Sequence, residues 1–94
     1  MWQGDILDQS LKPTSEAVES RLGDETVLLH LASGTYFGMD RVGTEIWEQL
    51  RGGLGIRAIC AATAAKYALP VEQVESDARS FLANLIANSI VSVE

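Results

Sequence analysis

The stretch Ser33–Gly53, SGTYFGMDRVGTEIWEQLRGG, holds the point at which the chain changes character. Ser33 and Gly34 supply a turn, and Thr35, Tyr36 and Phe37 open a strand-like run that reaches Met39. Asp40 comes next, and a carboxylate there accepts from the open amides of a helix's first turn. Val42, Ile46, Trp47 and Leu50 then recur at helical spacing until Gly52 and Gly53 end the run. The pattern is that of strands before Asp40 and of helices after it.

Outward from this switch, the same logic assigns the rest. TVLLHL, Thr26–Leu31, pairs with Thr35–Met39 as a hairpin across Ser33-Gly34. AVESRL, Ala17–Leu22, alternates apolar and polar residues as a half-buried strand does, and Gly23-Asp24 turns it back. Ahead of Glu16, Pro13 has no amide to donate, so that segment reads as an edge or an extended lead-in. Downstream, a second helix runs from about Ile56 to Lys66, with Ile56, Ile59, Cys60, Thr63 and Tyr67 as its buried stripe. Leu69-Pro70 stops it. A third helix starts at or just after Pro70, with Glu72 in its first turn and an apolar face of Val71, Val74, Ala78, Phe81, Leu82, Leu85 and Ile86. Ile90, Val91 and Val93 read as a short apolar tail. The expected fold is α+β, one domain over residues 1–94, with three strands followed by three helices and no internal repeat or linker.

Composition bounds the partners. With 47% hydrophobic and 21% charged residues, the chain is too apolar for disorder and too interrupted by charge to span a membrane. Thirteen acidic residues against seven basic ones give a formal charge of −6. That sign argues against nucleic acid and anionic lipid, both of which select concentrated positive charge. The first twenty residues carry Asp5, Asp8, Lys12, Glu16 and Glu19 and no apolar core, which reads as no export signal and an expectation of the cytoplasm. One cysteine, Cys60, allows no internal disulfide.

Catalysis and metal binding need several suitable groups in one place. One His and one Cys cannot make a structural zinc site of about four ligands. A Cys60–His30 nucleophilic pair is opposed by the position of Cys60 on a buried stripe between Ile59 and Ala61, where a thiol is inert. His30 alternates with Leu29 and Leu31 and reads as a surface or half-exposed sheet residue. The glycines form neither a dinucleotide fingerprint nor a phosphate loop. Acidic pairs such as Glu72 with Glu75 read as a solvated helix face. No catalytic residue, metal or cofactor is expected.

Two features remain as a binding surface. If Thr35, Tyr36, Phe37, Gly38 and Met39 form an edge strand, its free backbone groups accept an extended peptide as an added strand. On the third helix Asp77, Phe81, Asn84 and Asn88 stand four, three and four residues apart and so share one face, which borders the apolar side. A groove between the two offers backbone pairing, apolar pockets near Phe37, Phe81 and Leu85, and a few amide groups. Against it stands plain amphipathicity, in which Phe81 is core and the polar residues are its wet border.

The chain from the hairpin onward resembles PqqD-like proteins. The resemblance rests on Gly34, Tyr36, Phe37, Met39, Asp40, Gly43, Ile46, Trp47 and Leu50 in SGTYFGMDRVGTEIWEQLRGG, on GIRAICAATAAKYALP with its aromatic end at Tyr67, and on Asp77, Phe81, Leu82, Leu85, Ile90 and Val91 in VESDARSFLANLIANSIV. It implies a winged helix-turn-helix-like fold and a non-catalytic recognition element for ribosomally made peptides. The precursor's leader would dock as an extra strand along the third strand, beside the third helix. The Tyr36-Phe37 pair looks most like the lasso-peptide version, which hands the precursor to a separate leader protease; the version serving a radical enzyme in quinone-cofactor biosynthesis is the alternative. Met39-Asp40 departs mildly from the family's apolar-then-amide pair. A winged-helix DNA binder is a further class, opposed by Glu72, Glu75 and Asp77 against Arg79 alone on the third helix. An exposed edge also permits pairing of two copies.

Overall fold

The computed structural model of the chain describes residues 4–94. After a short 3-10 turn at Ile6–Asp8 come strands β1 (Leu11–Pro13), β2 (Ala17–Leu22), β3 (Glu25–His30) and β4 (Thr35–Met39). Helices α1 (Arg41–Arg51), α2 (Ile56–Tyr67) and α3 (Val71–Ala87) follow, and then a strand, β5 (Val91–Val93). β2, β3 and β4 form one antiparallel sheet in that order. The architecture is α+β and winged-helix-like, a small sheet backed by three helices.

Local chemistry sets the boundaries. Gly23, at φ +67°, takes the first position of the two-residue turn between Leu22 and Glu25, the position at which a tight hairpin turn requires a left-handed residue. Asp40 caps α1 as its place in the sequence predicts, its Oδ1 accepting from Gly43 N–H at 2.8 Å. α2 ends on Ala68, at φ 52°, one residue short of the Leu69-Pro70 pair that prevents its continuation.

The core lies between the sheet's inner face and the helices. Leu28 from β3, Ile46 and Trp47 from α1, Ile59 and Cys60 from α2, and Val74, Leu82 and Leu85 from α3 are all buried in it. Side chains of this kind contribute about 1.5–3 kcal/mol each on burial. The face of β3 that points inward carries Thr26, Leu28 and His30. His30 is thus buried, at 7% exposure, against the expectation of a surface residue. Strand alternation puts it in phase with Leu28, and its Nδ1 sits 2.9 Å from Ser33 Oγ, a partner that offsets the cost of burying the ring. Thr26 is buried in the same way, accepting from the Thr44 hydroxyl at 3.1 Å.

The ends of the chain also differ from the sequence pattern. Val91–Val93, expected as an apolar tail, is a strand that pairs with Leu11–Pro13, Pro13 standing opposite Val91. The short ribbon tolerates Pro13 because a missing donor matters little at an edge. The Ile6–Asp8 turn is held by charge. Arg79 donates to Asp5 at 2.7 Å, and Arg57 donates to Asp8 at 2.6 Å. The Arg79 hydrogen bond, helped by Leu7 N–H, holds the Asp5 carboxyl down at about 2. These pairs fasten buried Ile6 and Leu7 over α2 and α3. Among the described residues no helix is long and apolar enough to cross a membrane.

Candidate functional site

Two backbone contacts fix the phase of the sheet. Leu31 N–H donates to Glu16 O at 3.0 Å, and His30 O accepts from Gly34 N–H at 2.8 Å. Backbone groups alternate sides along an antiparallel strand. The odd-numbered residues of β3 therefore bond toward β2 and the even-numbered ones toward β4. Thr26, Leu28 and His30 face Met39, Phe37 and Thr35, so Phe37 and Met39 use their N–H and C=O within the sheet, while Thr35 N–H, at the turn, donates to Ser33 Oγ at 3.3 Å. Tyr36 and Gly38 turn theirs outward. β4 is an outer strand of its sheet, and no Cα of β4 comes within 8 Å of a Cα of α3. Among the described residues the edge therefore stands clear, with two residues' worth of donors and acceptors open.

Side chains divide by the same alternation. Thr35, Phe37 and Met39 lie on the helix side, Tyr36 and Gly38 on the outer face. The Tyr36-Phe37 pair is thereby split: Phe37 is half-buried against the core, whereas Tyr36 is 69% exposed on the far side of the sheet. Met39 is buried and belongs to the core.

On α3, Asp77 and Asn84 are exposed and Phe81 is half-buried, and Asn88, just past the end of the helix, is exposed. Leu85 does not join them. At 1% exposure it lies wholly in the core, so it supports the helix from beneath instead of lining a pocket. Asn88 donates to the backbone O of Asn84 at 2.8 Å and to its Oδ1 at 3.2 Å, and so closes the helix end. The two sides of the gap meet at Gly43 in α1: a Cβ there would stand 3.5 Å from both Phe81 Cε1 and Met39 Cβ. The Phe81 ring lies at ordinary contact distance over the start of α1. Beside it opens a cleft of about 380 Å³ floored by Val42, Leu69 and Phe81 and rimmed by Asp40, Gln73 and Asp77. Gln73 stands one turn before Asp77 and was legible as an extension of the same stripe. Val42 comes from α1 and Leu69 from the connection between α2 and α3, and neither carries a sequence signal for this role.

The opposite edge of the sheet is different. Glu19 of β2 accepts from Trp47 Nε1 at 2.7 Å and from Arg51 at 2.8 Å. Arg21 pairs with Glu48. Charged side chains of this kind discourage strand addition. β4 carries none.

Other chemistry is weak. Cys60 is fully buried, and burial pushes its thiol pKa up, away from the reactive thiolate. His30 is bonded to Ser33, not to Cys60. Arg79, the basic residue of α3, is held by Asp5 and so is not presented to phosphates. Among the described residues no group of three or more His, Cys, Asp or Glu side chains could hold a metal ion.

Comparison with known proteins adds two findings. The family model for the coenzyme PQQ synthesis protein D (PqqD) matches residues 25–91. A solved structure, TbiB1 in complex with the TbiA(beta) leader peptide, is similar at a TM-score of 0.78 and 40% sequence identity, over 85% of this chain and 93% of that one. None of the curated proteins compared matches the chain.

Proposed function

This chain belongs to the PqqD family, and from that premise we propose that it binds the leader region of a ribosomally made precursor peptide as a fourth strand along β4, without doing chemistry itself. The observation that carries the proposal is the bare edge: Tyr36 and Gly38 with open backbone groups, on a strand that α3 does not cover. The likeness to a protein solved with a leader peptide supports it. The added strand would lie between β4 and the α3 stripe. Its helix-side residues would meet Thr35, Phe37, Phe81 and, near the cleft, Asp77; Asn84 and Asn88 would line the far stretch of the groove. Edge hydrogen bonds supply affinity, and the apolar positions select side chains.

The same reading makes the chain a lasso-type recognition element that delivers its precursor to a separate leader protease. A binding module of this kind needs a second surface for the enzyme. The outer face of the sheet offers one, with Val18, Leu22, Leu31 and Tyr36 all more than half exposed. The description of the matched family favours a second reading, in which the partner is a radical enzyme of quinone-cofactor synthesis. Left uncovered, the β4 edge is also open to a second copy of the chain.

The test is a titration with the leader of the precursor encoded beside this chain, followed by amide chemical shifts. Shifts clustered at residues 35–39 and 73–88 support the groove. Absence of shifts at high peptide excess removes the proposal for that precursor.

A further inference from the structure

Gly38 has no reason inside the fold to be glycine. Its φ is not in the left-handed region, since the positive-φ glycines of the chain are Gly4, Gly23, Gly34 and Gly53. Among the described residues a Cβ at Gly38 would meet nothing within 4 Å. Glycine within a strand is nonetheless disfavoured, because it loses the most freedom on ordering and packs nothing. Neighbouring β4 residues are of the ordinary strand-forming kind: Thr35, Tyr36 and Phe37. A bare position in such a strand is a mark of close approach by something outside it.

The phase of the sheet says what approaches. Gly38 lies on the outer face, beside Tyr36 and opposite half-buried Val27. Its N–H and C=O point out of the β4 edge. An antiparallel strand added there places one residue directly opposite Gly38, in a hydrogen-bonded pair. The side chain of that residue falls on the outer face as well, over the space that Gly38 leaves empty. A large apolar or aromatic side chain can lie across a glycine in this way and cover the exposed backbone and the neighbour beyond it.

Resting on the leader-binding reading, we propose that Gly38 is a specificity-determining residue: it forms a notch on the outer face that receives one large apolar side chain of the bound peptide, laid across β4 onto Val27 with the Tyr36 ring at its flank. This contact is on the side of the sheet away from Phe81 and the helical groove. The peptide is then read on both faces of the strand it adds.

The test uses the full chain, Gly38→Val and Gly38→Ala, with a fluorescein-labelled TbiA(beta) leader peptide as probe. Valine favours strands and has room here, so thermal stability should hold or rise in both variants. Peptide affinity should fall about tenfold for Gly38→Val and about threefold for Gly38→Ala, as when a seated interfacial side chain is displaced. An alanine scan of the probe should contain one position whose truncation costs about tenfold against the wild-type chain and almost nothing against Gly38→Val, the sign of a shared contact. Wild-type affinity in both variants overturns the assignment of Gly38 and leaves the leader-binding reading standing. Absence of binding by the wild-type chain itself overturns this inference for the TbiA(beta) leader, and the titration with the chain's own precursor decides the leader-binding reading separately.

Discussion

The two edges of one sheet, β2 and β4, have opposite fates. β2 ends the sheet with Glu19 and Arg21, each tied to α1: Glu19 to Trp47 and Arg51, Arg21 to Glu48. β4 ends it with Thr35, Tyr36, Phe37, Gly38 and Met39, without a charge, and stands clear of α3. Both strands expose a row of backbone groups, and hydrogen-bonding capacity alone does not distinguish them. The difference is what surrounds that row. A guarded edge keeps the molecule from pairing at random, and a bare edge beside a partly apolar wall is selective for what fits the wall.

Three substitution experiments bear on this difference, and a fourth lies outside it. The largest effect is expected at Leu28, on the inner face of β3 between the two edges, which is 1% exposed. Leu28→Ala should cost about 2–5 kcal/mol, much of the total for a domain of this size, and should be read as a fall in denaturation midpoint that disables both edges together. Next comes Tyr36→Pro. An edge strand tolerates proline where its amide faces outward, but the added strand loses that donor, and affinity should fall by about 1–3 kcal/mol. Ala17→Pro on the β2 edge should leave peptide titrations unchanged; an equal loss there would mean that the two edges do not differ in function.

A smaller effect is expected from Glu19→Gln. The amide oxygen can still accept from Trp47 Nε1, and the exposed pair with Arg51 contributes only about 0.2–1 kcal/mol. The informative readout is self-association by size-exclusion chromatography over a range of concentrations. A new dimer would show that charge on β2 is what keeps that edge single. The smallest concerns neither edge. Asp5 titrates at 3.8 without its partners and at about 2 with them, so its pairing with Arg79 stabilises the fold above pH 3.8 and that gain is lost as the pH falls toward 2. Asp8, lowered by Arg57, acts in the same direction. Acid titration of Asp5→Asn should show a shallower loss of stability over this window than the wild-type chain.

How much of this was legible beforehand follows from the range of each interaction. The hairpins, the Asp40 cap and the three helices are written in local periodicity and in single residues such as Gly23 and Pro70. The β1–β5 ribbon joins Leu11 to Val93, and three residues of strand on each side leave no pattern long enough to read. The Asp5–Arg79 pairing is equally invisible, since charges far apart in sequence do not announce their partners. At the site, the α3 stripe was readable by spacing, but the depth of Leu85 was not, because Leu85 and Phe81 sit one turn apart and differ only in which neighbour covers them. His30 was misjudged for a related reason: the inward face of β3 is set by register, and a polar residue in phase with Leu28 goes inside with it. The sequence also could not say that Tyr36 and Phe37 part company, though strand alternation makes it inevitable once the strand is granted.

The central claim is tested most directly by amide hydrogen exchange of the chain with and without a saturating leader peptide. The Tyr36 and Gly38 amides should exchange readily in the free chain and become protected on binding, while Phe37 and Met39 are protected throughout. New protection at Ala17, Glu19 and Arg21 instead, or none at Tyr36 and Gly38 when the peptide is bound, would contradict it.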